Sequence, residues 1–151
     1  MRFRLIASGL LATLTFTGAA LAQHAEAITG RRDGMRAMGA HMEAMKPIAD
    51  ARGNPSAMVE RADAMLAFYT TLTTRFPAGS DVPQGTNPGQ TRALPAIWAD
   101  NAGFVQTMTT MQAQVRTLRA AAAAGDGTAF AAAYQQVGAS CVSCHRAYRA
   151  R

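Results

Sequence analysis

The sequence predicts an all-α protein, an antiparallel four-helix bundle, and three features carry that reading. Apolar residues recur at spacings of three and four in four long segments. No run alternates apolar and polar residues as a half-buried strand would. Breaks rich in glycine and proline separate the segments, two of them short and one long. That connectivity suits an up-and-down bundle with one extended connection. A chain of 151 residues amounts to one domain.

The first helix is expected over about residues 25–45, with Ile28, Arg31, Met35, Met38, Met42 and Met45 facing inward. Pro47 should end or kink it, because proline lacks a backbone donor and clashes one turn back. Ser56 is the expected N-cap of a second helix over about 56–76, whose inward face carries Met58, Ala62, Met65, Tyr69, Leu72 and Phe76. The stretch "PAGSDVPQGTNPGQTRALP" then forms a connection of roughly 18 residues, longer than most loops and able to wrap one end of the molecule. A third helix is expected over about 95–124, with Ile97, Asn101, Phe104, Met108, Met111, Val115 and Leu118 inward. "GDGT" breaks the pattern, glycine ending one helix and Asp or Thr capping the next. The fourth helix runs over about 128–149 through Phe130, Tyr134, Val137, Cys141, Cys144 and Tyr148. Arg31 and Asn101 sit in seams that a plain apolar core would not give them. They need either a wet bundle end or a non-protein group as partner.

The beginning of the chain has a different character. Arg2 and Arg4 precede an apolar run from Leu5 to Phe16, and Ala20-Leu21-Ala22 supplies a small-x-small cleavage pattern. Residues 1–22 therefore read as a signal peptide removed on export, leaving a domain over 23–151, and the run is too short for a committed membrane span. Export places the mature protein in the periplasm. The full chain has 15 basic and 9 acidic residues; without the leader the basic count falls to 13. The basic residues are scattered, which argues against a nucleic-acid partner and agrees weakly with acidic protein partners.

Both cysteines fall in the final turns, in "SCVSCHRAYRAR". Cys141-Val142-Ser143-Cys144-His145 is C-x-x-C-H, the attachment motif of c-type haem. Two thiols less than a helical turn apart can form thioethers with vinyl groups on neighbouring pyrroles, and His145 follows in place to ligate iron. A disulfide across so small a loop would stabilise little. A thioredoxin-like pair needs a βαβ context, and tetrahedral zinc needs a fourth ligand.

With C-x-x-C-H on the last of four helices, the chain resembles the class II c-type cytochromes, the cytochrome c′ family. "AITGRRDGMRAMGAHM" is similar to that family's first-helix signature, "IWADNAGF" to the start of its third helix, and "CVSCHRAYR" to its C-terminal motif. The resemblance implies a four-helix bundle enclosing one covalently attached haem c. Cys141 and Cys144 would be the thioether anchors and His145 the iron ligand. By the same resemblance Arg31 matches an arginine near a haem propionate, and Arg149 a basic residue beside the histidine. Met35 matches the position facing the distal side, where a methionine either ligates iron, raising its potential, or merely fills space. The chain departs from the family at Arg32, where glutamine is common, and at Gly30, where an aromatic is common. Trp98 could stack near the haem edge or plug the end of the bundle, and the haem edge is the expected place, because a buried indole needs a partner for its N–H.

The resemblance implies a monohaem electron carrier exchanging electrons with redox partner proteins. The alternative is a five-coordinate haem protein binding NO or CO, and pairing through the first two helices as a homodimer is a family habit. From another class comes a methionine-rich copper protein using Met35, Met38, His41, Met42 and Met45, although the same methionines fit helical core spacing. No paired carboxylates or nucleophile–base pair stand out, so no enzymatic activity is expected. His24 and His41 read as solvated surface residues.

Overall fold

The computed structural model describes the backbone of residues 12–81 and 91–151, with side chains from His24 onward. Its α-helices are α1 (Ala12–Ala51), α2 (Val59–Thr71), α3 (Ala96–Ala99), α4 (Asn101–Ala123) and α5 (Gly127–Tyr148). Helices α1, α2, α4 and α5 form the four-helix bundle, in which α4 packs against both α2 and α5, and α1 closes on α5. The fold class read from the sequence is the one observed. Of the proposed leader, residues 1–11 lie outside the described residues, and the remainder belongs to the first turns of α1. Among the described residues, no helix is long and apolar enough to cross a membrane.

Several boundaries differ from expectation for local reasons. Pro47 does not end α1, which continues to Ala51. The helix stops at Arg52, whose φ of 49° lies in the left-handed region, with the Gly53 N–H returning to the Ile48 carbonyl at 3.1 Å. Ser56 is not the cap of the second helix. Asn54 supplies the acceptor instead, taking the Ser56 N–H at 2.9 Å, and a 3-10 turn over Ser56–Met58 leads into α2. The expected third helix is split at Asp100, whose carboxylate accepts the Gly103 N–H at 3.1 Å and starts α4 anew. Asp126 resolves the choice of cap for α5, accepting the Ala129 N–H at 2.9 Å after Gly125 turns the chain at φ +68°.

The core follows the predicted seams. Met45, Met65, Leu72, Val115, Leu118, Phe130 and Val137 are fully buried. Each contributes about 1.5–3 kcal/mol by leaving water. Asn101 is the exception: it is exposed, its amide donating back to the Ile97 carbonyl at 3.4 Å. It is the first residue of α4, in an exposed stretch that runs from Ala99 to Ala102. Helices α1 and α2 approach closely at Gly34, where a β-carbon would lie 2.0 Å from the Phe68 ring.

The end of the bundle near the chain's last residues is held shut by backbone. The Leu94 N–H donates to the Tyr148 carbonyl at 3.0 Å, and the Ala150 N–H to the Arg92 carbonyl at 2.8 Å. An isolated antiparallel bridge joins Ala93 to Arg149 there. A minimal ladder thus sits beside the last turn of α5, where the sequence predicted only helix.

Candidate functional site

Cavities between α1 and α5

The turn bearing Cys141, Cys144 and His145 faces two cavities. The outer one, about 430 Å³, is lined by Arg31, Met35, Phe76, Cys144, His145 and Arg149 among others. The inner one, about 280 Å³, is lined by Met38, Met42, Tyr69, Met111 and Cys141. Met35, Met108, Cys144 and His145 line both. The helical spacing explains the presentation: residues 141, 144 and 145 lie within about one turn and share a side of α5.

Burial sets the state of these groups. It pushes the Cys144 thiol up to about 11, with Cys141 adding to the effect. Burial also raises Cys141, partly opposed by its hydrogen bond with Tyr69. Tyr69 is itself raised, by burial first and then by Cys141. His145 is lowered, by burial first and then by the positive charge of Arg149. Its surface is nonetheless accessible, because it opens onto the cavities rather than being packed by protein. Two protonated thiols and a neutral imidazole therefore face the same space at neutral pH. Both cysteines are free, and among the described residues no three His, Cys, Asp or Glu side chains converge as a metal set.

Arg31 has found protein partners. It is 4% exposed, and its guanidinium donates to the Ser80 hydroxyl at 2.7 Å and the Arg75 carbonyl at 3.3 Å. It also donates to the Ser80 carbonyl and the Thr91 hydroxyl, and lies 4.7 Å over the Phe76 ring. Burial lowers it to about 10, with Asp81 partly opposing. The seam anomaly is thus met by the Arg75 carbonyl at the end of the second helical segment and by Ser80 and Thr91 of the long connection. Arg31 still lines the outer cavity, so a carboxylate there would find it in place.

Trp98 does not line either cavity. Its indole N–H donates to the Phe76 carbonyl at 3.2 Å, and its ring meets Phe76 edge-on at 6.4 Å. Phe76 is the residue at the wall, followed by Phe104 at 5.0 Å and then Tyr148 at 5.3 Å from Phe104. Trp98 thus backs that wall from behind. Arg149 is the C-cap of α5, its N–H reaching the His145 carbonyl at 3.2 Å, and it lines the outer cavity.

The soft-ligand cluster weighed for copper is divided. Met35, Met38 and Met42 face the inner cavity, Met45 is wholly buried in the core, and His41 is half-buried beside Arg61, 3.4 Å away. His24 is half-buried too, so neither histidine is fully solvated.

Tyr69, Phe76, Arg92 and Met108 belong to the cavity walls without having been singled out. Three of them lie on the inward spacing already read as core. Arg92 lies in the connection and carries no sequence signal.

The chemistry fits a flat apolar group carrying an anionic edge. Sulfur, aromatic and aliphatic side chains bound the interior, arginines bound one side, and the open space beside Gly39 and Gly138 meets no heavy atom within 4 Å of an added β-carbon. A haem held by the paired thiols matches that description.

Comparison with known proteins is consistent with this geometry. The family model described as Cytochrome C′ matches residues 26–149. The cytochrome c′ of Alcaligenes xylosoxydans xylosoxydans is 35% identical over 124 residues, covering 82% of this chain and 93% of that one. A nitric oxide complex of a cytochrome c prime variant from Alcaligenes xylosoxidans superimposes with a TM-score of 0.71 at 28% identity, covering 83% of this chain and 94% of that chain. A carbon monoxide-bound variant of the same protein gives 0.72 at 28% identity, with the same coverage of both chains.

Proposed function

Because the chain belongs to the cytochrome c′ family of haem proteins, we propose that it is a periplasmic electron carrier holding one covalently attached haem c. The observation that carries this reading is the convergence of Cys144 and His145 on both cavities, with Cys141 on the inner one. The bound group supplies one-electron redox chemistry at iron. The chain's own residues do the rest. Cys141 and Cys144 would tether the porphyrin, and His145, held neutral by burial and Arg149, would offer a ring nitrogen to iron. Arg31 and Arg149 place positive charge where the carboxylate edge would lie. Methionine and aromatic walls would give the bound group a low-dielectric setting, which favours the less charged reduced state.

Met35 would supply a thioether as a second protein ligand to the iron, because it borders both cavities together with His145. The second reading leaves that position open for NO or CO, and it draws support from the gas-bound structures of the Alcaligenes xylosoxidans variants. Cleavage after Ala22 and delivery to the periplasm follow from the leader pattern and from thioether attachment as an extracytoplasmic process. The deciding experiment is a spectrum of the exported protein, ferrous, with and without CO, together with a pyridine haemochrome assay. A low-spin spectrum indifferent to CO is expected. A high-spin spectrum that shifts with CO would select the second reading, and a colourless product would reject both.

A further inference from the structure

Among the described residues lining the inner cavity, Tyr69 carries the only hydroxyl. It is 4% exposed and lies on the buried face of α2 with Ala62 and Met65. Gln112 of α4 donates its side-chain N–H to the Tyr69 carbonyl at 3.2 Å, just before α2 gives way to a 3-10 turn over Leu72–Arg75. The Tyr69 ring meets Phe68 edge-on at 5.5 Å. So anchored, the phenol reaches α5, where its hydroxyl bonds with Cys141. Burial raises the phenol, so it keeps its proton and acts as the donor. One residue before that cysteine, the Ser140 hydroxyl donates to the Gln114 side chain of α4. Two glutamines of α4 thus hold both the tyrosine and the turn it meets. The two cysteines differ in surroundings. Cys144 is buried in the core, whereas Cys141 is partly buried and packs against the core's edge at the cavity wall. The causes acting on Cys144 are burial and Cys141, and Tyr69 is not among them.

Resting on the haem reading above, we propose that Tyr69 is a positioning residue for cofactor attachment, its hydroxyl holding the Cys141 sulfur toward the inner cavity, where a porphyrin vinyl group would meet it. In that step an S–C bond forms at the vinyl carbon next to the ring, the vinyl π bond breaks, and the thiol hydrogen ends on the terminal carbon. No oxidant or reductant is consumed. A side chain at a cavity wall keeps a choice of staggered rotamers, and one directed hydrogen bond narrows that choice before the reacting atoms meet. Cys144 needs no such guide, because packing sets its direction. Tyr69 therefore acts on one of the two links and not on the other.

The test uses exported protein and Tyr69→Phe, which keeps the ring and deletes the hydroxyl. Wild-type and variant chains are denatured, alkylated and digested, and peptide mass spectrometry reads the haem-bearing chains for a free thiol at each position. Chains carrying haem through Cys144 alone, with Cys141 alkylated, should rise about 3- to 10-fold in the variant, the factor that one hydrogen bond carries. Chains with Cys144 free should change less than about twofold. Gln112→Ala leaves the hydroxyl in place but releases the Tyr69 backbone, and it should shift the same ratio in the same direction by a smaller factor. This second variant decides the matter where Tyr69→Phe fails to accumulate. Equal losses at both cysteines, or an unchanged ratio, would overturn the positioning role while leaving the haem reading intact. Wild-type material without a Soret band would overturn both.

Discussion

Met35 on α1 and His145 on α5 border the same two cavities, so a thioether and an imidazole face one shared space between the first and last long helices. Met35→Ala is expected to convert a low-spin ferrous spectrum to high-spin and to open CO binding. A wild-type spectrum that is already high-spin would remove Met35 from coordination.

Thiol chemistry separates a tethered cofactor from a merely bound one. Protein made without haem attachment should show two thiols that alkylate slowly at pH 8 while folded, because burial holds both in the protonated form. Unfolding should restore ordinary reactivity. The exported protein should show no reactive thiol in either state, and finding two after denaturation would exclude thioethers.

Arg31→Leu removes a buried fork that satisfies Ser80, Thr91 and the Arg75 carbonyl together. A loss of about 2–4 kcal/mol in denaturant unfolding is expected, since the orphaned acceptors stay out of water. Arg31→Lys should recover only part of it, because an ammonium lacks the planar fork. A neutral result for the leucine variant would mean the connection repacks freely.

His41 titrates below its ordinary 6.5, through burial first and Arg61 second. Between its lowered folded value and 6.5 the unfolded chain binds more protons. The stability contribution is therefore present above 6.5 and falls away on acidification through that window. Arg61→Ala should raise the His41 midpoint seen by NMR, but not fully to 6.5, because the larger cause remains. Full recovery would assign the shift to Arg61 alone.

Gly34→Ala adds a β-carbon that would fall 2.0 Å from Phe68. Relief requires the ring to move, and the expected loss is about 1–3 kcal/mol despite alanine's better helix propensity. Increased stability would show that Phe68 moves aside without strain.

The helical periodicity exposed the four long helices and most of their buried faces, because packing between helices imposes its spacing on apolar residues. C-x-x-C-H was equally legible, since its chemistry is local. Contacts made by the connection were not. Arg31 stood out as a charge in a seam, but its protein partners Ser80 and Thr91 lie 49 and 60 residues away in a stretch without period. Trp98 was read toward the haem because indole seeks a partner, and the partner is the Phe76 carbonyl instead. Asn101 failed for a more local reason: it opens α4 in an exposed stretch from Ala99 to Ala102, so it keeps the seam's spacing without the seam's burial.

The small ladder between residues 92–94 and 148–150 gives this end of the molecule its own reporters. The Leu94 and Ala150 amides lie outside every helix yet are bonded to carbonyls across the ladder. In a deuterium-exchange experiment they would be a pair of slow loop protons, and their simultaneous loss of protection would time the opening of the molecule's arginine-bearing end separately from melting of the bundle.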